Sequence, residues 1–198
     1  MHFKIIGGLI AFAFATPALA QDPPESPAPA PNFSGFRVEG LIGWDHTEIL
    51  DDDQGAPLYG IGVGYDYQTG RAVLGLEAEA SDSNNNGCLG NVINPGDRLC
   101  AGTGRDLYIG ARAGLIVGRN VLLFAKAGYV NTRFTSEYDP GAGGAVTSFH
   151  YTVGGLRVGG GAEVAIGRHF YVRAEGRYTE YRDGGNRGAL LGALGFRF

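Results

Sequence analysis

Residues 58–80, LYGIGVGYDYQTGRAVLGLEAEA, decide the class of fold. Apolar residues occupy every second position before the central QTG, and every second position again after it. A period of two is the pattern of a β-strand, because successive side chains point to opposite faces of a sheet. The stretch therefore predicts two antiparallel strands, 58–67 and 71–80, joined by a tight turn.

Six further segments show the same alternation, and we predict strands at 35–46, 105–117, 121–134, 149–166, 170–180 and 188–198. The alternation is less clean in 121–134, and the first half of 149–166 is irregular enough to hold a β-bulge.

The connections between the eight strands alternate in length. Long ones cover 47–57, 81–104, 135–148 and 181–187, and short ones cover 68–70, 118–120 and 167–169. Outer-membrane barrels have long loops on the outside and tight turns in the periplasm. The pattern predicts an all-β protein, an eight-stranded antiparallel up-and-down transmembrane β-barrel over residues 35–198.

Aromatic residues near the strand ends support this interpretation. With both chain termini in the periplasm, the periplasmic strand ends hold Phe36, Tyr65, Tyr67, Phe170, Phe196 and Phe198. The outer ends hold Trp44, Tyr59, Phe134, Phe149, Tyr151 and Tyr178. Amphipathic rings favour the two membrane interfaces, whereas a soluble sandwich would place them in its core.

The first 34 residues have a different composition from the rest. Residues 1–20 predict a cleaved signal peptide, with Lys4, an uncharged and largely apolar run and the small-residue site Ala18-Leu19-Ala20. The run is too short for a transmembrane helix, which needs about 20 apolar residues. Residues 21–34 include five prolines and predict an extended linker.

Charged residues of both signs occupy the strand face opposite the aliphatic residues. Eight strands enclose an interior that side chains can fill, and a cation facing mid-bilayer lipid would cost about 2–4 kcal/mol. We therefore predict a salt-bridged, plugged lumen; the alternative is a very narrow conductance. The predicted network is Arg37, Glu39, Asp66, Glu77, Glu79, Arg112, Lys126, Arg157, Glu163, Arg173, Glu175, Arg177 and Arg197, with Asp106 on the same face.

The two cysteines, Cys88 and Cys100, both fall in the longest predicted loop. An exported protein reaches an oxidising compartment, so we expect them to form a disulfide. In the chain-entropy model this restrains the loop by about 3 kcal/mol. No further ligands lie near them in the sequence, and we predict neither a metal site nor a cofactor.

Signals for catalysis and for nucleic-acid binding are weak. Ser148 lies two residues from His150, but no acid can be assigned to orient the histidine, and charge compensation explains Glu77 and Glu79 better than acid–base chemistry. The net charge is −4 and no basic stripe is present, so nucleic acid is not an expected partner. We predict a protein that is not an enzyme.

The last eleven residues, GALLGALGFRF (188–198), resemble the terminal strand of outer-membrane barrels. In those chains this strand ends in an aromatic residue and is recognised by the barrel-assembly machinery, which implies an assembly signal at Phe196 and Phe198. With the eight-strand layout, residues 33–198 resemble the superfamily of the OmpA transmembrane domain and the opacity-type surface antigens, also called porin-family barrels.

The resemblance implies an integral protein of a Gram-negative outer membrane. Its partners would be outer-membrane lipid and lipopolysaccharide, the assembly machinery, and an external protein or cell-surface ligand that meets the loops. We expect a non-enzymatic, surface-exposed structural or interaction role, adhesin-like or in envelope integrity. The alternative is a narrow porin-like channel for small solutes, and a lipid-modifying enzyme ranks third.

Overall fold

The computed structural model describes residues 31–49, 52–83, 86–141 and 144–198. The predicted signal peptide and most of the predicted linker lie outside these residues and stay predictions. No helix within the described residues is long and apolar enough to cross a membrane.

Nine antiparallel strands make up the described chain. They are β1 (Gly35–Ile49), β2 (Asp52–Thr69), β3 (Ala72–Ser83), β4 (Asn86–Gly90), β5 (Arg98–Val117), β6 (Val121–Asp139), β7 (Thr147–Ile166), β8 (Phe170–Tyr181) and β9 (Asn186–Arg197). The order β3-β2-β1-β9-β8-β7-β6-β5 is closed by pairing of β3 with β5. The predicted eight-stranded barrel is thus confirmed, and β4 lies outside the ring because it pairs only with β5.

The two faces of each strand have opposite chemistry, as the alternation predicts. On the outer face, Ile61 and Leu76 are 67% and 69% exposed, so these apolar side chains are available to hydrocarbon. On the inner face of β3, Glu77 is only 3% exposed. Within the closed ring, each of the eight strands is paired on both sides, which a membrane requires because lipid cannot satisfy backbone groups.

Strands run further than predicted at the end of the barrel that carries the long connections, which we call the loop end. β1 and β2 stay paired up to Ile49 and Asp52, within the predicted loop 47–57. β5, β6 and β7 likewise extend into predicted loops. The prediction ended strands where apolar alternation stops, but the hydrogen-bonded ladder continues with polar side chains.

A β-bulge is present, but not where the sequence suggested it. The register of β5 with β6 shifts between Thr103 and Asp106. The pairing of β7 with β6 is continuous, so the bulge proposed for the first half of 149–166 is wrong. The small residue Gly104 lies within the irregular step.

Three strands of the ring, β5, β6 and β7, continue beyond it at the loop end, where β4 pairs with β5. β3 pairs with β5 only as far as Asp106, and β8 pairs with β7 only as far as Gly155. The remaining outer parts pair only with one another. We call this unit, formed by β4 and residues 98–104, 133–139 and 147–153, the projecting sheet.

The opposite end of the barrel, the turn end, is closed by three tight connections. They begin at Gly70, Gly118 and Gly167, whose φ values are +58°, +71° and +71°. These lie in the left-handed region, which glycine adopts without the steric cost of a Cβ. The short turns predicted at 68–70, 118–120 and 167–169 are confirmed to within two residues.

One face of β2 points outward from the barrel. A charge placed on that face should lower the free energy of unfolding by an amount that depends on its depth in the membrane. Val63 lies midway between the aromatic residues Tyr59 and Tyr67, so Val63→Arg should destabilise the bilayer-embedded protein by about 2–4 kcal/mol. Guanidinium unfolding in lipid vesicles, followed through the fluorescence of Trp44, measures this. The control Thr69→Arg, at the turn end of the same face, should cost no more than about 1 kcal/mol; equal costs would contradict the assignment.

Candidate functional site

The barrel interior is filled with charged side chains of both signs, none more than 6% exposed. Eight are cationic and eight are anionic, so the interior carries no net charge. They are Arg37, Arg112, Lys126, Arg157, Arg173, Arg177, Arg187 and Arg197, with Glu39, Asp45, Asp66, Glu77, Glu79, Asp106, Glu163 and Glu175. The structure places all thirteen residues of the predicted network in this interior.

The interior charges form three layers along the barrel. Lys126 of β6 lies in the middle layer, where one cation contacts three carboxylates. Its Nζ lies 2.8 Å from Glu77 Oε1, 2.6 Å from Glu79 Oε1 and 3.0 Å from Glu175 Oε1. The ammonium also lies 4.8 Å from the centre of the Tyr108 ring, within reach of a cation–π interaction. One cation thus connects β6 to β3 and β8 across the lumen.

Two arginines of β8 complete the same layer. Arg173 Nη2 lies 2.8 Å from Glu39 Oε1 and 3.4 Å from Glu79 Oε1, and Nη1 lies 3.3 Å from Glu175 Oε2. Arg177 Nη1 lies 3.0 Å from Glu79 Oε2. Since each carboxylate is shared between cations, the layer is a continuous network that occupies the space through which a solute would pass.

A second layer lies towards the turn end. Arg112 donates to Asp66 through Nε at 2.8 Å and to Glu163 through Nη1 at 3.0 Å. Arg197 Nη2 contacts the same two carboxylates at 3.0 and 2.9 Å. Arg37 joins this layer to the middle one through an Nε–Asp66 Oδ2 distance of 3.2 Å.

Below this layer an apolar cluster lines the turn end of the lumen. Phe33 is completely buried against Val73, Ile116 and Leu122, and the Arg197 guanidinium lies 5.4 Å from its ring centre. The amide of Phe33 donates to Gln68 Oε1 at 2.8 Å. Phe33 falls in the predicted linker 21–34, because a single aromatic residue before the first strand carries no periodicity.

The third layer lies at the loop end. Arg157 donates from Nη1 and Nη2 to both oxygens of Asp106, at 2.9 and 2.7 Å. Arg187 is in bidentate contact with Asp45. The predicted network omitted this last pair, because Arg187 was placed in a loop. β9 begins earlier, at Asn186, and Arg187 pairs in register with inward-facing Thr179.

The predicted disulfide is confirmed. Cys88 and Cys100 are bonded, and they face each other directly where β4 pairs with β5. The bond closes a hairpin whose tip is organised by Asp97, a residue that the sequence analysis did not single out. In the sequence, the one signal for Asp97 is that it is a single aspartate directly after Asn-Pro-Gly.

The carboxylate of Asp97 holds the hairpin tip together. It accepts hydrogen bonds from the amides of Val92, Ile93 and Asn94 at 2.6, 2.9 and 2.8 Å, and from the Tyr138 hydroxyl at 2.9 Å. Burial alone would raise the pKa of Asp97, but these four donors outweigh it and hold the pKa below its usual value. The same hydrogen bond to Asp97 raises the pKa of Tyr138.

The projecting sheet has one apolar face. Residues paired in register lie on the same face, and this places Leu89 with Leu99, and Phe134 with Tyr151. Phe149 is on that face too, two residues from Tyr151, and these two rings are 61% and 53% exposed. The Phe134 and Tyr151 rings stack at 5.5 Å.

This arrangement corrects half of the predicted outer aromatic belt. Trp44, Tyr59 and Tyr178 are exposed on the lipid-facing side, as expected. Phe134 instead packs against the buried cluster of Tyr108, Val130 and Tyr181 on the lumen side, and Phe149 and Tyr151 share its face beyond the ring. These three rings belong to parts of β6 and β7 that continue beyond the closed ring, so they do not contribute to a lipid-facing belt.

The opposite face of the projecting sheet is polar and includes the weak catalytic candidates. Glu137 pairs in register with Ser148, and His150 is two residues further along β7. No hydrogen bond joins these three side chains among those found in the described chain. A nucleophile, a base and an orienting acid need such contacts. The described residues also contain no group of three or more His, Cys, Asp or Glu that could hold a metal ion.

Comparison with known proteins gives a family match over nearly the whole chain. The family model described as "Outer membrane protein beta-barrel domain" matches residues 7–198. No curated protein sequence matches.

Solved structures with the same fold include three bacterial barrels. Neisserial surface protein A is 15% identical with a TM-score of 0.55, covering 83% of this chain and 98% of that one. Ail, the attachment invasion locus protein of Yersinia pestis, solved with the heparin analogue sucrose octasulfate, is 14% identical with a TM-score of 0.54 and coverages of 83% and 97%. The N-terminal barrel of Pseudomonas aeruginosa OprF is 16% identical with a TM-score of 0.50 and coverages of 82% and 97%. At these identities the likeness shows the fold alone.

The position of Lys126 among three carboxylates predicts a large loss of stability when its charge is removed. Lys126→Met leaves three buried carboxylates without their shared cation, and we expect a loss of about 3–5 kcal/mol in vesicle unfolding experiments. Lys126→Arg keeps the charge and serves as the matched control. An unchanged unfolding midpoint for Lys126→Met would show that the network does not support the barrel.

The lowered pKa of Asp97 predicts that the hairpin tip is sensitive to acid. A carboxyl group whose pKa is lower in the folded state contributes stability above its unfolded pKa, about 3.9, and loses it as the pH falls through the folded value. Hydrogen exchange at Val92–Asn94 should therefore be protected at pH 5 and less protected at a pH well below the unfolded pKa of about 3.9. In Asp97→Asn the protection should be weak at both values; equal protection in the variant would contradict this account.

Proposed function

We propose, from the premise that this chain belongs to the outer membrane protein β-barrel domain family, that it is a non-enzymatic surface protein whose projecting sheet binds an external partner. The chain is an integral protein of the bacterial outer membrane. The proposal concerns its role in that membrane. The barrel acts as an anchor, and the loop end acts as the interaction surface in an adhesin-like role.

The observation that carries the proposal is the exposed apolar face of the projecting sheet. Phe149, Tyr151 and Leu89 are each more than half exposed, although they lie on a hydrogen-bonded sheet whose β4–β5 hairpin is closed by the disulfide. Large exposed apolar patches mark interaction sites, and aromatic residues dominate the energetics of interfaces. Without a partner, rings exposed to water at these positions would make no favourable contacts.

The outer edge of the projecting sheet favours an extended protein segment as the partner. Residues 147–153 of β7 pair with β6 on one side, while β8 reaches only to Gly155 on the other. An unpaired edge presents backbone donors and acceptors to which another strand can add. Side chains of the added strand could then pack on Phe149 and Tyr151.

The charge of the loop end argues against a polyanionic partner. Residues 46–57, 82–105, 133–153 and 180–186 contain ten Asp and Glu but only four Arg. Ail was solved with a heparin analogue, but here such a ligand would meet net negative charge. A neutral or basic protein segment matches the apolar face and the acidic surroundings better.

The proposed orientation places the loop end outside the cell and both termini in the periplasm. Long hairpins at one end and two- or three-residue turns at the other support it. Phe196 and Phe198 remain the proposed assembly signal for the barrel-assembly machinery. Their rings lie 5.0 Å apart, and Phe196 also contacts Phe170.

The filled lumen favours a plugged barrel over the alternative of a narrow channel. Three layers of paired charges and the Phe33 cluster occupy the interior, and each would have to open for a solute to pass. Planar-bilayer recording of the refolded protein should show no stable conductance steps. Steps that grow when Arg173 or Arg177 is neutralised would instead favour a pore.

The exposed apolar face of the projecting sheet predicts which side chains are needed for binding. Cells that display the protein should bind epithelial monolayers or immobilised plasma proteins, and Phe149→Ser/Tyr151→Ser should lower that binding at least tenfold, about 1.4 kcal/mol. His150→Ala/Thr152→Ala alters the polar face of the same strand and should bind normally.

Two results would contradict the interaction role. One is binding that survives both the double serine substitution and deletion of residues 84–102. The other is a wild-type protein that binds none of these surfaces, which would leave the envelope-integrity role, tested by the detergent sensitivity of cells that lack the protein.

A further inference from the structure

Each of the three connections at the turn end contains an arginine. Arg71 lies between β2 and β3, Arg119 between β5 and β6, and Arg168 between β7 and β8, and all three are exposed. These are all the strand connections that the described chain has at this end. The arginines are therefore spaced around the rim of the barrel.

Acidic side chains are missing from this rim in the described residues. Every Asp and Glu of residues 31–198 faces the lumen or lies in the loop-end segments. Arg168, His169 and Phe198 line a recess of about 280 Å³ at this rim. The turn end is basic, whereas the loop-end segments have ten acids and four arginines.

Exposed aromatic side chains indicate how deep these arginines lie in the membrane. Phe36, Tyr65, Tyr67, Phe170 and Phe198 are all at least half exposed near the turn end. Such residues mark the level of the lipid headgroups. Because the turns contain only two or three residues, their arginines stay at this level and do not extend far into the aqueous space.

We infer that the three turn arginines form a ring that binds the phosphate headgroups of anionic phospholipids. A guanidinium recognises a phosphate through two parallel charge-assisted hydrogen bonds. The Nε of Arg71 donates to the Ile116 carbonyl at 3.1 Å, which holds this guanidinium at the turn end. Basic residues near an anionic membrane surface each add to its attraction.

The ring binds lipid and not the anionic polymers of the cell wall, because it lies at the aromatic level and does not project. The assignment of the ring to the periplasmic leaflet rests on the proposed function, because it depends on the proposed orientation of the barrel. The lipid chemistry holds for either orientation, so the two proposals can fail separately.

Electron paramagnetic resonance of spin-labelled lipids tests the ring. The refolded full chain is placed in phosphatidylcholine vesicles with a trace of labelled phosphatidylglycerol or labelled phosphatidylcholine. The wild-type protein should prefer phosphatidylglycerol several-fold. Arg71→Gln/Arg119→Gln/Arg168→Gln should bring the ratio close to one, and 1 M salt should lower it, because the Debye length falls to about 3 Å.

The matched control is Arg98→Gln/Arg105→Gln/Arg133→Gln, which removes three loop-end arginines and should keep the wild-type preference. Arg71→Lys/Arg119→Lys/Arg168→Lys keeps the charge and should keep most of it. If the glutamine variant does not fold, the salt dependence of the wild-type protein and the lysine variant carry the test.

Three results would overturn the inference. The first is a wild-type preference near one, and the second is an equal loss in the loop-end control. The third is co-sedimentation of the wild-type protein with purified cell-wall sacculi that requires the turn arginines, without any lipid preference, which would assign the ring to the cell wall.

Discussion

The balance of charge inside the barrel is the constraint on which the rest of the structure depends. Closing eight strands in a membrane leaves every second side chain in a narrow interior that bulk water does not fill. A charge there is tolerated only with a partner, and eight cations and eight anions provide one for each other. Lys126, with three carboxylates around it, shows how tightly the strands depend on this pairing.

A filled interior determines where the protein can act. Transport through the lumen would require three charge layers and the apolar cluster around Phe33 to separate. The free surfaces are at the two ends, and they differ. The loop end is acidic and carries an apolar sheet face around Phe149, whereas the turn end is basic and lies against the lipid headgroups. The barrel therefore connects two surfaces of different chemistry without joining them by a channel.

The sequence predicted the parts of the fold that are set by local alternation. The eight strands of the ring, its closure, the facing of Ile61 and Glu77, and the Cys88–Cys100 disulfide followed from the period of two, the alternating connection lengths and the predicted export signal, whereas β4 falls within a predicted loop. Strand ends did not, because the ladder above the membrane needs no apolar alternation. Arg187 and Phe33 were missed for related reasons: one lies just past a predicted strand end, and the other precedes the first strand and carries no periodicity.

The central claim is that alternate side chains of one closed sheet meet hydrocarbon and a narrow charged interior. Nuclear Overhauser spectroscopy of the methyl-labelled protein in lipid nanodiscs tests it without any substitution. The methyl groups of Ile61, Leu76 and Leu190 should show contacts with lipid acyl chains, and those of Leu41 and Leu191 should show none. Lipid contacts at Leu41 and Leu191, or water contacts alone at Ile61 and Leu76, would contradict the account.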